Sequence, residues 1–368
     1  MTHTLLTCHR CFNNSAKGVP MNSGLDKIIS NHEASLSDGV QNLPNFSYKT
    51  YCVSNLRGGI GKSTLSFNLA YLMACNKSTL VGDLCAQGNL TDSLNNSQSK
   101  LDVSIDDAIQ PRLLGPAFGD IPDDISYLIS GKNEEFKGIK ASYFIPSSPG
   151  LFAFASSLYQ QLQLASTQAN SETKVKNILY TIKSTLDKES ELKKCELQLL
   201  DCSPFYTGAT HLAWCASDAL IIPVRVDEHS IKSLELTLDM LGNPSSDFNQ
   251  WLKRGGDLIP PKVAAIVMTM VGARSNVKKT KDRASLSFIE RAYDVSRKYA
   301  HLFDKNPEDA FAITDDFTSS GRISGALGIP IPKLQIGKSY TIEPKKRLEV
   351  YEANKKYRKE LEYLTSLL

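Results

Sequence analysis

The residues whose chemistry is easiest to read lie in Tyr51-Cys-Val-Ser-Asn-Leu-Arg-Gly-Gly-Ile-Gly-Lys-Ser-Thr64. Gly58, Gly59 and Gly61, with Ile60 between them, let the backbone curl until several N–H groups face one anion. Lys62 follows at the offset from which an ammonium reaches the outer phosphates of a nucleotide. Ser63 supplies a hydroxyl suited to Mg²⁺, and Thr64 completes the run. An apolar strand ends near Ser54, and a helix is predicted from Lys62 with Leu65, Leu69, Leu72 and Met73 on one stripe. A helix N-terminus at that place adds partial positive charge to the lysine. Together these features indicate polyphosphate binding by Gly58, Gly59, Ile60, Gly61, Lys62, Ser63 and Thr64.

Such a loop needs a sheet and helices to hold it. From Phe46 onward, short apolar segments alternate with amphipathic ones. Strands are predicted at Tyr48–Ser54, Thr79–Asp83, Ala141–Ile145, Leu197–Asp201, Ala219–Val224 and Val263–Met268. Helices are predicted at Lys62–Ala74, Leu151–Leu164, Lys174–Leu186, Ile231–Leu241, Leu286–Lys298 and Pro344–Leu367. Strands spaced by helices imply crossover units, hence an α/β fold: a doubly wound, mostly parallel sheet with helices on both faces. The stretch Ser97–Lys140 reads as loop-rich. Residues 1–45, rich in Asn, Ser, His and Gly, read as a polar, flexible extension with a short helix around Leu25–Ile29, and Met21 offers a second start. Residues 46–368 read as one domain that includes a C-terminal helix.

Composition narrows the class. With 368 residues, 41% hydrophobic and 22% charged, the chain is neither disordered, collagen-like nor a disulfide-stapled miniprotein. Its 8 cysteines fit a reduced, cytoplasmic protein. No apolar run approaches the roughly 20 residues that span a bilayer. A net charge of +3 does not by itself announce a nucleic-acid partner.

The run Arg57-Gly-Gly-Ile-Gly-Lys-Ser-Thr64 resembles the deviant Walker A loop of the ParA/MinD ATPases, Lys-Gly-Gly-x-Gly-Lys-Ser/Thr. Leu56 stands where the common phosphate loop has its first glycine. Further segments resemble the family in order: Val81-Gly-Asp-Leu-Cys-Ala-Gln-Gly-Asn-Leu-Thr91 its switch I, Tyr143-Phe-Ile-Pro-Ser-Ser148 the next strand, and Leu199-Leu-Asp-Cys-Ser-Pro204 its Walker B. Ile221–Val224 and Ile266–Met270 are similar to its later strands. Gln87-Gly-Asn89 and Thr269-Met270 are closest to the ParA partition branch.

The resemblance implies ATP and Mg²⁺ as cofactors, with Ser63 and Asp201 on the metal, Lys62 reaching the phosphates, and Asp83, the first acid of switch I, acting in catalysis near where the metal would lie. It puts Arg57 where the family has a lysine that reaches the partner's nucleotide in an ATP-sandwich homodimer. Cys85 stands where the family has the aspartate that orients the attacking water, and Ala86 replaces a proline. A thiol, with a reference pKa of about 8.5, is neutral at pH 7 and accepts hydrogen bonds poorly, so weak hydrolysis is expected. The implied work is ATP-dependent partition or positioning of plasmid or chromosomal DNA with a ParB-like adaptor. Non-specific DNA contact is expected through Arg274, Lys278, Lys279, Lys281 and Arg283, with Lys345, Lys346 and Arg347 as a second basic group; the protein would then associate with the nucleoid. The rival reading is a MinD-like module acting on a protein partner. The final helix, with balanced charge, is expected to pack on its own domain, without stable membrane association. Cys8-His-Arg-Cys11 alone suggests an iron–sulfur carrier, and it lacks a second cysteine pair.

Overall fold

The computed structural model describes residues 23–37, 44–206, 208–271 and 283–368. Cys8, Cys11, Met21 and the basic residues Arg274, Lys278, Lys279 and Lys281 lie outside the described residues.

Eight strands form one sheet: β1 (Thr50–Val53), β2 (Thr79–Leu84), β3 (Tyr127–Leu128), β4 (Tyr143–Ile145), β5 (Leu197–Cys202), β6 (Ala219–Arg225), β7 (Lys262–Thr269) and β8 (Phe311–Ile313). Their order is β3-β4-β2-β5-β1-β6-β7-β8. The seven longer strands run parallel and β3 alone is antiparallel, at one edge. The six expected strands are all present; β3 and β8 are too short to carry a period of their own.

Alternate side chains leave a strand on opposite faces, so β1 feeds two cores. Tyr51 and Val53 enter one with Leu65, Leu69 and Met73 of the helix Lys62–Asn76 and Leu361 and Leu364 of the last helix, Asn354–Ser366. Cys52 enters the other with Leu200, Ile222 and Trp214, the last from the helix Gly208–Ala216. Helices on both faces explain why β5, Leu-Gln-Leu-Leu-Asp-Cys, is buried along its whole length.

Three segments differ from the sequence reading. Where a flexible extension with a short helix is expected, Ser23–Ser37 is a helix with Leu25 and Ile28 buried, packed on the last helix and on Arg283–Lys298. The helix expected at Lys174–Leu186 is split at Tyr180 into Ser171–Leu179 and Thr181–Lys193. The helix expected from Pro344 begins only at Asn354: Pro344 and Lys345, the latter at φ +70°, turn a hairpin of β9 (Ser339–Glu343) and β10 (Lys346–Glu349). Lys345, Lys346 and Arg347 therefore sit on a hairpin. Its alternation is of period two, with Tyr340, Ile342 and Leu348 packed inward.

Candidate functional site

The ends of β1, β2, β5 and β7 open on one edge of the sheet. That is where ligands settle in open parallel sheets. The loop after β1 is anchored from below. Ser54 Oγ accepts a hydrogen bond from Trp214 Nε1 at 2.9 Å, and the buried Asn55 donates through Nδ2 to the Pro223 carbonyl at 2.7 Å. Gly59 and Gly61, at φ +70° and +85°, occupy the left-handed region that side-chain-bearing residues avoid. They turn the chain so that the helix Lys62–Asn76 starts at the loop's mouth.

Lys62 is 8% exposed, and its Nζ donates to the carbonyls of Asn55 at 3.1 Å and Arg57 at 2.6 Å. Burial holds its pKa below the usual lysine value, against the raising effect of Asp201. The ammonium thus sits inside the curl, on two weak neutral acceptors. An entering polyphosphate offers it a stronger one.

Asp201, at the end of β5, is fully buried; its carboxylate accepts from Ser63 Oγ at 2.6 Å and Ser66 Oγ at 2.7 Å. Asp83 lies opposite it on β2, register partner to register partner. It accepts from the Thr91 backbone N–H and hydroxyl, each at 2.8 Å, and from the Cys85 N–H at 3.0 Å. Burial pushes both carboxyls up, and Asp201 raises Asp83 further, to about 7. Two adjacent buried acids with a serine hydroxyl on one of them are a hard oxygen donor set. A divalent cation there offsets the cost of their ionisation, so Ser63 and Asp201 fit Mg²⁺.

Around the loop lies a cavity of about 390 Å³ lined by Gly58, Gly59, Gly61, Lys62, Ser63 and Thr64 on one side and Cys85, Gln87 and Asn89 on the other. Cys202 and the fully buried Ser324, whose hydroxyl has no partner, also line it. A second cavity of about 470 Å³ shares Gly61 and Thr64 and continues past Ile60 to Thr269, Met270, Asp315, Asp316, Phe317 and Leu348. The two meet at the loop, one over the phosphate cradle and one beyond the end of β7.

Asn133 ties these walls together. Its buried Nδ2 donates to Ser93 O at 3.0 Å, at the end of the segment after β2, and to Gly328 O at 2.8 Å, at the end of the helix Thr318–Leu327. Gly328 comes so close that a Cβ there would stand 2.8 Å from Ser93 O.

Of the residues singled out in sequence, Gly58, Gly59, Gly61, Lys62, Ser63 and Thr64 line the phosphate cavity and Ile60 the adjoining one. Asp83 and Asp201 lie buried beneath. Arg57 points elsewhere: it pairs with Asp227 and donates to Ser230 Oγ at 3.1 Å, at the start of the helix Glu228–Gly242. Sequence reading assigned no role to Thr91, Ser66, Asn133, Asp227 or Ser324. All meet the site through tertiary contacts, although the Asp227 cap three residues before Ser230 is a legible helix-start signal.

A family model described as an AAA domain matches residues 48–254. The sporulation initiation inhibitor protein Soj of Bacillus subtilis is 24% identical over 235 residues, 62% of this chain and 75% of that protein. The chromosome partitioning protein ParA of Myxococcus xanthus is 24% identical over 228 residues, 61% of this chain and 66% of that one. Among solved structures, apo McdA from Cyanothece superposes with a TM-score of 0.55 at 19% identity, over 76% of this chain and 90% of that one. McdA in an ATP complex gives 0.54 at 20%, over 77% and 89%. These superpositions agree on the fold. The family match covers the loop, both acidic strand ends and more than half of the chain, and the protein belongs to the ParA/MinD family of P-loop ATPases.

Proposed function

We propose that this protein is an ATP-dependent switch for positioning or partitioning DNA. ATP with Mg²⁺ would bind with its phosphates over Gly58–Thr64 and its base toward Thr269 and Met270, and two copies would pair across the nucleotide. The observation that carries this reading is Lys62, buried inside the curl on carbonyls alone and beside a Ser63–Asp201 pair. Such an arrangement favours a ligand with high negative charge.

Lys62 would transfer its hydrogen bonds from the loop carbonyls to the phosphates. Ser63 and Asp201 would hold the magnesium ion, which when bound neutralises phosphate charge. Thr91 holds Asp83 through two hydrogen bonds and so ties the segment after β2 to the acid pair. Cys85, its thiol neutral because burial raises its pKa, would align water poorly and leave hydrolysis slow. Arg57 would act on the nucleotide only after leaving Asp227.

A relative named for chromosome partitioning supports work on DNA, in which a ParB-like adaptor would be the partner. Such work belongs in the cytoplasm, on the nucleoid. None of the helices among the described residues is long and apolar enough to cross a membrane.

Titration of the full chain with a fluorescent ATP analogue and Mg²⁺ tests the reading. Saturable binding is expected, weakened by at least about tenfold in Lys62→Ala, the loss of a charge-assisted contact. Absence of saturable binding by the folded wild type overturns it. Binding to duplex DNA, stronger with ATP and falling steeply with salt, separates the DNA reading from action on a protein partner.

A further inference from the structure

Beneath the phosphate loop lie two thiols that the proposed cycle does not use. Cys52 of β1 and Cys202 of β5 are fully buried neighbours on one face of the sheet, with Sγ atoms 3.2 Å apart. Cys52 precedes Ser54, where the loop departs, by two positions, and Cys202 directly follows Asp201. Cys202, though 1% exposed, is also a lining residue of the phosphate cavity.

We propose that Cys52 and Cys202 are a modification site: a dithiol that a peroxide converts to a cross-strand disulfide, weakening polyphosphate binding at the loop above. The peroxide enters through the cavity. Cys202 sulfur attacks one peroxide oxygen, the O–O bond breaks, a sulfenic acid forms and one water leaves. Cys52 sulfur then attacks Cys202 sulfur, the S–S bond forms, the S–O bond breaks and a second water leaves. Two thiols lose two electrons and two protons, and hydrogen peroxide is reduced to two waters.

The register gives this bond its consequence. Cys52 stands opposite Leu200, so Cys202 is offset by two residues along β5. Shrinking the sulfur separation to the roughly 2.05 Å of a disulfide draws two offset strand ends together. Ser54 and Asp201 move with them, and with Asp201 the hydroxyl of Ser63. A disulfide is opened again by thiol exchange, so the modification is reversible. Coupling is mutual: a ligand in the cavity shields Cys202 and slows oxidation. This last consequence, and the loss of binding, rest on the nucleotide reading above; the disulfide itself does not.

The test uses the reduced full-length chain, treated with graded hydrogen peroxide, blocked with N-ethylmaleimide and mapped by non-reducing peptide mass spectrometry. A Cys52–Cys202 cross-linked peptide is expected, reversed by dithiothreitol and formed more slowly with ATP and Mg²⁺. Affinity for the fluorescent ATP analogue should fall by about tenfold and recover on reduction, within the ordinary range of site-to-site coupling. Cys52→Ser, or Cys52→Ala if the serine variant does not fold, should abolish both effects. The exposed Cys75 serves as an internal reference for oxidant strength. Oxidation of Cys75 with no Cys52–Cys202 peptide overturns the proposal, as does a peptide joining Cys202 to Cys85. Oxidant sensitivity that survives in the Cys52 variant also overturns it, assigning the effect to oxidation of a single thiol, Cys85 or Cys202. Failure of the nucleotide reading would instead leave the cross-link intact and the reduced protein unable to bind.

Discussion

Cys85 sits at the wall of the phosphate cavity with its backbone N–H, not its thiol, bonded to Asp83. Its carbonyl accepts from Ser147 Oγ at 2.6 Å, and Ser147 N–H donates to Thr91 Oγ1 at 2.9 Å, so its backbone is fixed. Placing a carboxylate there by Cys85→Asp supplies the acceptor that the thiol lacks. Single-turnover hydrolysis is expected to rise by about 10²–10⁴, the usual worth of a positioned base. An unchanged rate would mean that another group already aligns the water. At this scale the sequence is a good guide to acids at strand ends and to the loop, because strand-then-loop-then-helix order is local information. Thr91 is silent in sequence: its hydroxyl meets Asp83 only after the chain has turned back across the end of β2.

Elements whose buried face mixes polar with apolar residues are the ones that escape a periodicity reading. The helix Ser23–Ser37 buries Leu25 and Ile28, but also His32 and Ser35, which blurs its stripe. It is held by Lys27 on Asp309 at 2.7 Å and by Lys359 Nζ on the Leu36 carbonyl at 2.5 Å, partners that arrive from the far end of the chain. If that packing contributes to stability, Ile28→Ala, with a side chain 1% exposed, costs about 2–4 kcal/mol in urea unfolding of the full chain. A cost near zero would restore the picture of a loose extension. The hairpin β9–β10 escapes for a related reason, since its Lys- and Glu-rich outer residues read as an amphipathic helix until the inward Tyr340, Ile342 and Leu348 are seen.

Across the whole molecule, the N-terminal helix, the last helix and the second cavity converge on Glu360. This fully buried carboxylate accepts from the Asp315 N–H at 2.9 Å, with Lys356 Nζ at 3.5 Å and His32 Nε2 at 3.9 Å. Burial pushes it up to about 7, with the Lys356 ammonium opposing and the Asp315 carboxylate adding to the rise. An acid whose pKa is raised on folding binds more protons folded than unfolded. Its contribution to stability is therefore present below the ordinary carboxylate pKa and fades as pH climbs toward 7. Relative to Glu360→Gln, the wild type should lose on the order of 2 kcal/mol between about pH 4.5 and 7, read from urea midpoints. A gap independent of pH would exclude the group as its source. The Asn133 amide has a wider consequence, because one NH₂ group holds both Ser93 O and Gly328 O. Neither Ser93 nor the end of the helix Thr318–Leu327 can swing out without stranding a buried donor, so the segment after β2 and that helix are tied to each other. The two chambers that meet at the loop share that helix as a wall, so displacing it would reshape both at once.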